Sequence, residues 1–320
     1  MKKKVYITRE VPVIPVEILK KQFEVAVNSE DRTLTKEELI ENLKDKDAVI
    51  TQLADKVEKE VLENSPNLKI IANYAVGFNN IDIAEATKRG IQVTNTPDVL
   101  SDTTAEMAWA LLFAVTRRIY EGDKYVREGK WDSFSPNLLL GQDVTGKTLG
   151  VIGAGRIGKA FAKKSLGFDM KILYHNRSRD DEFEREYNAT YVDKKTLLKE
   201  SDFISLHVPL TDETKHMIGE EEFKLMKNSA IIINTARGPV IDEKALVKAL
   251  KEKEIWGAGL DVFENEPKME DELKSLQNVV LMPHVASAST ETRSKMGKMV
   301  VENVIRVLNG EEALTPANSL

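Results

Sequence analysis

Cysteine is absent from the chain, which excludes disulfide bonds and thiolate chemistry and suits a reducing cytoplasm. Histidine is scarce. His175, His207, His216 and His284 are the whole set, and none stands in an H-x-x-x-H or H-E-x-x-H arrangement, so no catalytic transition-metal site is expected. Long apolar runs are missing too: the longest in the central helical stretch, 108–115, is too short to span a bilayer. Nor is there an excess of positive charge. The 46 Lys and Arg against 52 Asp and Glu leave a net charge of −6, which argues against a general nucleic-acid or anionic-membrane binder. The opening run Lys2-Lys3-Lys4 leads straight into Val5-Tyr6-Ile7 and reads as a solvated strand end, not a targeting signal. No repeat of fixed period and no low-complexity tract is found.

What is present is an ordinary globular composition, 42% hydrophobic and 31% charged over 320 residues, enough for two domains. Short apolar runs alternate with amphipathic stretches. Strands are expected at 5–7, 23–27, 48–50, 68–72 and 91–94, with helices between them such as 36–43 and 56–64. A longer helix follows Pro97, capped by Ser101 or Asp102 and running to about Glu128, suited to a domain bridge or a subunit interface. After it comes an aromatic loop, 129–137, in which Trp131 and Phe134 could pack locally or meet a partner. A second series has six strands at 148–152, 171–174, 203–207, 230–234, 257–261 and 279–282, then a final helix at 290–309. This βαβ order predicts an α/β protein with parallel sheets covered by helices on both faces.

Gly153-Ala154-Gly155-Arg156-Ile157-Gly158 stands between an expected strand and an expected helix. The first glycine permits the tight turn, the second lets backbone approach a pyrophosphate, and the third allows helix to pack on sheet. Backbone N–H groups around Arg156 and Ile157, at the helix start, would hold the anion. The end of the next strand decides the cofactor. A carboxylate near Asn176 would accept hydrogen bonds from an NAD ribose, but Asn176 is neutral and Arg177 and Arg179 follow it. Two permanently charged guanidinium forks favour the 2′-phosphate of NADP(H), with NAD(H) still possible.

Three residues lie just beyond strand ends, where open α/β sheets gather their ligands: Arg237 after 230–234, Glu266 after 257–261 and His284 after 279–282. Singly, each admits a plainer role, as a surface ion pair, a loop charge and a satisfied boundary histidine.

Five motifs in order over nearly the whole chain add a resemblance. Asn73-Tyr74-Ala75-Val76-Gly77-Phe78-Asn79-Asn80-Ile81-Asp82, Gly150 through Gly158, Asn234-Thr235-Ala236-Arg237-Gly238, Gly259 through Pro267 and Pro283-His284 resemble those of the D-isomer-specific 2-hydroxyacid dehydrogenases, in particular glyoxylate/hydroxypyruvate reductases. The resemblance implies a Rossmann cofactor domain, 100–286, inserted into a flavodoxin-like substrate domain made of 1–99 and 287–320, with the active site in the cleft. It implies catalysis by Arg237, Glu266 and His284. Arg237 would grip the substrate carboxylate and carbonyl, and His284, paired with Glu266 and kept protonated by it, would protonate the alkoxide. The N–H groups of Val76 and Gly77 would bind the substrate carboxylate, with Leu53 and Ser287 beside it. Pro209, Ala236 and Asp261 would line the cofactor. It further implies a cytoplasmic homodimer acting on a small 2-oxoacid. Some relatives place a tryptophan, reaching the partner's pocket, where this chain has Phe134. Losing that indole N–H favours glyoxylate over hydroxypyruvate. Alternatives are a D-lactate or other D-2-hydroxyacid dehydrogenase and, from another class, an NAD(P)-sensing binding protein.

Overall fold

Branched apolar residues fill the middle of two parallel sheets, where strands covered on both faces carry near-continuous hydrophobic runs. The computed structural model describes residues 2–11 and 13–320. It divides into two units, one running up to Leu100 and resuming at Ala288–Leu320, the other comprising Ser101–Ser287.

The first unit contains β1 (Lys4–Ile7), β2 (Glu24–Val27), β3 (Ala48–Thr51), β4 (Ile70–Asn73) and β5 (Gln92–Thr94), in the order β2-β1-β3-β4-β5 and all parallel. Every residue of β3 and β4 is buried, whereas the edge strand β2 alternates partly buried and exposed positions. The strand order reverses beside β1, so the loops after β1 and β3 splay apart there and leave the crevice characteristic of doubly wound sheets. The helix Thr290–Leu308, capped by the Ser289 hydroxyl on the Thr292 N–H, packs over β4 and its neighbours.

The second unit contains β6 (Thr148–Ile152), β7 (Lys171–His175), β8 (Thr190–Tyr191), β9 (Phe203–Leu206), β10 (Ile231–Asn234), β11 (Gly257–Leu260) and β12 (Val279–Leu281). Their order is β12-β11-β10-β9-β6-β7-β8, again all parallel. That is seven strands where six were expected. The extra one, β8, is a two-residue edge strand paired to Leu173 and Tyr174, too short to leave a periodic signal. The helix Ser101–Thr116 lies on β10 and β11, and Gly259 makes room for it: a Cβ there would meet Leu111 Cβ at 2.9 Å.

The single helix expected to reach about Glu128 is two. The first ends at Thr116, Arg118 takes a left-handed φ of 51°, and a second helix spans Ile119–Arg127. The Thr116 carbonyl accepts the Gln142 N–H at 2.9 Å, and Gly141 lies so close that a Cβ would sit 2.1 Å from that oxygen. A segment distant in sequence thus terminates the helix. Trp131 and Phe134, 62% and 88% exposed, do not pack locally.

Candidate active site

The glycine loop divides its labour as its sequence suggests. Gly153 has φ 92°, and a Cβ would lie 2.7 Å from the His207 backbone; one at Gly158 would lie 2.2 Å from the Gly153 carbonyl oxygen. Gly155 differs: a Cβ there would touch nothing within 4 Å. Protein packing therefore does not require glycine at that position, whereas a ligand approaching the backbone would. Gly155 is also the N-cap of the helix Arg156–Ser165 and offers no side chain to cap the first N–H groups. An open, uncapped helix start beside a close-packed turn fits a bound pyrophosphate.

At the end of β7, the Asn176 side-chain oxygen accepts the Ala154 N–H at 2.7 Å, so Asn176 braces the glycine loop. Arg179 forms a two-pronged pair with Glu184, at 2.7 and 2.6 Å, and lies 3.3 Å from Asp181. Of the two guanidinium groups expected to face the cofactor, one is thus already occupied. Arg177 is exposed and makes no salt bridge among the described residues. Pro209 lies exposed after β9, its carbonyl accepting the Thr214 hydroxyl. His207 Nε2 meets the Ser205 hydroxyl at 2.9 Å, and burial holds its pKa down to about 3, which keeps the ring neutral.

The loops after β10, β11 and β12 bring Arg237, Glu266 and His284 to one edge of the sheet. Asn234 holds the first loop, accepting the Ala236 N–H at 3.0 Å and donating to the Arg237 carbonyl at 3.0 Å. Gly238 then lets it lie directly on the second loop: a Cβ would sit 1.9 Å from the Phe263 carbonyl. Glu266 Oε1 accepts the Phe263 N–H at 3.0 Å, and Oε2 meets His284 Nδ1 at 2.7 Å. Burial pushes the Glu266 carboxyl up, but the bond and charge of His284, the Phe263 N–H and the Arg237 charge bring it below the usual carboxylate range. Arg237 is pulled down by burial and held up by Glu266, while its Nη1 donates to the Ala236 carbonyl at 2.7 Å.

Asp261 sets the third loop. Fully buried, it accepts the N–H groups of Val285 and Ala286 at 2.8 Å each, while its own carbonyl accepts the His284 N–H at 2.8 Å. This clamp fixes His284 at its left-handed φ of 55°. Burial pushes the Asp261 carboxyl above its ordinary range against those two N–H groups. Ser287, half-buried, follows at the end of the unit.

In the first unit, Leu53 and the pair Val76-Gly77 lie in the loops after β3 and β4. Asp55, buried, ties the first loop by accepting the Gln52 N–H at 2.7 Å, and Asn80 links the two by donating to the carbonyls of Gln52 and Asp55. The carbonyls of Ala75, Val76 and Gly77 are all engaged, by the Thr96 N–H, Asn95 and Asn73 respectively. The N–H groups of Val76 and Gly77 donate to no acceptor among the described residues. Two adjacent open donors suit a carboxylate. The sequence reading missed the braces Asp55, Asn73, Asn80, Asn95 and Asn234. Three of them lie inside quoted motifs, but only the structure shows what they bond.

Residues 109–286 match the family described as D-isomer specific 2-hydroxyacid dehydrogenase, NAD binding domain. A glyoxylate reductase of Thermococcus litoralis is 55% identical over 315 residues, 97% of this chain and 95% of that protein. A crystal structure of a protein from Thermus thermophilus matches with TM-score 0.93 and 40% identity, covering 98% of this chain and 100% of that one. The crystal structure of an NADPH-dependent glyoxylate/hydroxypyruvate reductase from Sinorhizobium meliloti, in complex with NADP and malonate, matches with TM-score 0.88 and 32% identity over 99% and 97%. The glycine loop at the end of β6 falls within the matched segment, and the second unit is a nicotinamide-binding Rossmann fold. Together with the sheet order and the near-complete coverage, these matches show that the chain belongs to the D-isomer specific 2-hydroxyacid dehydrogenases.

Proposed function

We propose that this enzyme reduces a small 2-oxoacid, glyoxylate first, to the corresponding 2-hydroxyacid, with NADPH preferred and NADH accepted. The observation that carries the reading is the 2.7 Å bond between His284 and Glu266 at the sheet edge that also bears Arg237. When bound, the nicotinamide cofactor supplies hydride to the carbonyl carbon. Arg237 turns its fork toward the substrate carboxylate and carbonyl oxygen, polarising the latter. His284, oriented by Glu266, gives its proton from Nε2 to the developing alkoxide. Val76 and Gly77 donate their N–H groups to the carboxylate, with Leu53 and Ser287 as walls. Pro209, Ala236 and Asp261 line the cofactor. The first unit is then the substrate domain and the second the cofactor domain, in a cytoplasmic enzyme.

The NADPH preference rests mainly on Arg177. Arg179 joins it only by giving up its two-pronged pair with Glu184, whose side chain is 16% exposed. The glyoxylate reductase relative and the NADP-containing S. meliloti reductase support both choices. A panel of 2-oxoacids assayed with each cofactor tests them: kcat/KM is expected to be highest for glyoxylate with NADPH, and Arg177→Ala is expected to narrow the cofactor ratio about tenfold. A clear NADH preference in the wild-type enzyme would refute the cofactor assignment.

A further inference from the structure

Within the first unit, at the point where the strand order reverses, lies a cavity of about 380 Å³ that the roles above leave unused. Its walls come from the loop after β1 (Val11 and Val13), the residue after β3 (Gln52), the residue after β4 (Tyr74) and the start of the last helix (Ser289 and Arg293). Gln52 and Tyr74 immediately precede, or lie two residues before, Leu53 and Val76, so the cavity adjoins the loops read above as the substrate's first-unit contacts.

Two features of the lining are polar and unspent. Arg293 stands with its guanidinium 5.8 Å from the centre of the Tyr74 ring and makes no salt bridge among the described residues. It is held from behind, because the Tyr74 hydroxyl donates to its backbone carbonyl at 2.7 Å. The Gln52 side-chain nitrogen is buried with no hydrogen-bond partner among the described residues. A buried amide donor without an acceptor and a guanidinium without a carboxylate partner among the described residues, in a cavity otherwise lined by Val11, Val13, Tyr74, Ala288, Ser289 and Thr290, both call for an acceptor-rich, negatively charged group.

We propose that this cavity receives the distal anionic group of a longer 2-oxoacid, so that the enzyme also reduces 2-oxodicarboxylates, with Arg293 and Gln52 binding the second carboxylate. The proposal rests on the active-site reading above and extends its substrate class. Glyoxylate, with hydrogen in place of a side chain, leaves the cavity empty. A neutral branched acid fills it but gives Arg293 no partner.

Oxaloacetate and 4-methyl-2-oxopentanoate separate shape from charge, since a carboxylate and an isopropyl group have nearly the same outline. In the wild-type enzyme kcat/KM is expected to favour oxaloacetate by about 10- to 100-fold, the worth of a charge-assisted pair of hydrogen bonds. Arg293→Met is expected to abolish that ratio and Arg293→Lys to keep part of it; the glyoxylate rate of the same preparations reports folding. Gln52→Leu, which removes only the amide, is expected to reduce the ratio less. If glyoxylate is reduced and the ratio does not differ between wild type, Arg293→Met and Gln52→Leu, the cavity assignment is overturned and the active-site reading stands. If the wild-type enzyme reduces none of the three acids, both fall.

Discussion

At the scale of residues, the proposed chemistry turns on how Glu266 holds His284. The carboxylate spends one oxygen on the Phe263 N–H and the other on the imidazole, so its position and its charge are both committed. Because its pKa in the folded protein lies below the ordinary value, the carboxylate persists as pH falls into the range where exposed glutamates protonate, about pH 4. The sign follows from linkage: the pair's contribution is complete above the unfolded pKa and is lost as pH falls through the lower, folded one. Activity is therefore expected to persist through the range in which an exposed glutamate protonates and to fall only at lower pH. Glu266→Gln has no proton to take up there. Its pH–rate profile is expected to lose that acid limb and to lie roughly 10- to 100-fold below wild type at neutral pH, as one charge-assisted bond is worth. A variant with the wild-type profile would remove Glu266 from the mechanism. Arg177 and Arg179 show how little a residue type alone decides. Both were legible as cations, but the Glu184 that occupies Arg179 stands on the following helix, and only the fold shows the pairing.

At the scale of elements, the strands were the most legible part of the sequence, since central parallel strands are continuous apolar runs with no competing period. The glycine loop was equally plain, because its three glycines answer three different local demands. What could not be read was set from a distance. The helix break at Arg118 depends on Gly141 and Gln142, and the edge strand β8 exists only through its pairing to β7. That break gives the helix Ile119–Arg127 its own direction and leaves it with no buried residue. Ile119, Tyr120 and Val126 are each more than half exposed, as are Trp131, Phe134 and Leu140 in the segment that follows. So many large apolar side chains in one segment make it the surface that the homodimer implied by the sequence resemblance would bury. Light scattering is expected to give twice the 36.0 kDa chain mass, and Tyr120→Glu with Val126→Glu to give the monomer. A wild-type monomer at micromolar concentration would contradict the assignment.

At the scale of the whole molecule, two doubly wound sheets present their carboxyl-end loops for different tasks. The second unit braces the glycine loop through Asn176 and clamps the His284 loop through Asp261. The first holds two open N–H donors in place by engaging the carbonyls around them. Among the described residues no helix is long and apolar enough to cross a membrane. The central claim, that this scaffold delivers a proton from His284 during 2-oxoacid reduction, is tested most directly by one measurement. It is the single-turnover rate of glyoxylate-dependent NADPH oxidation in the wild-type enzyme and in His284→Ala, each saturated with cofactor. The account predicts a rate lower by about 10²–10⁴-fold in the variant, with NADPH affinity unchanged. Equal rates in the two proteins, or no glyoxylate-dependent oxidation by the wild type, would contradict it.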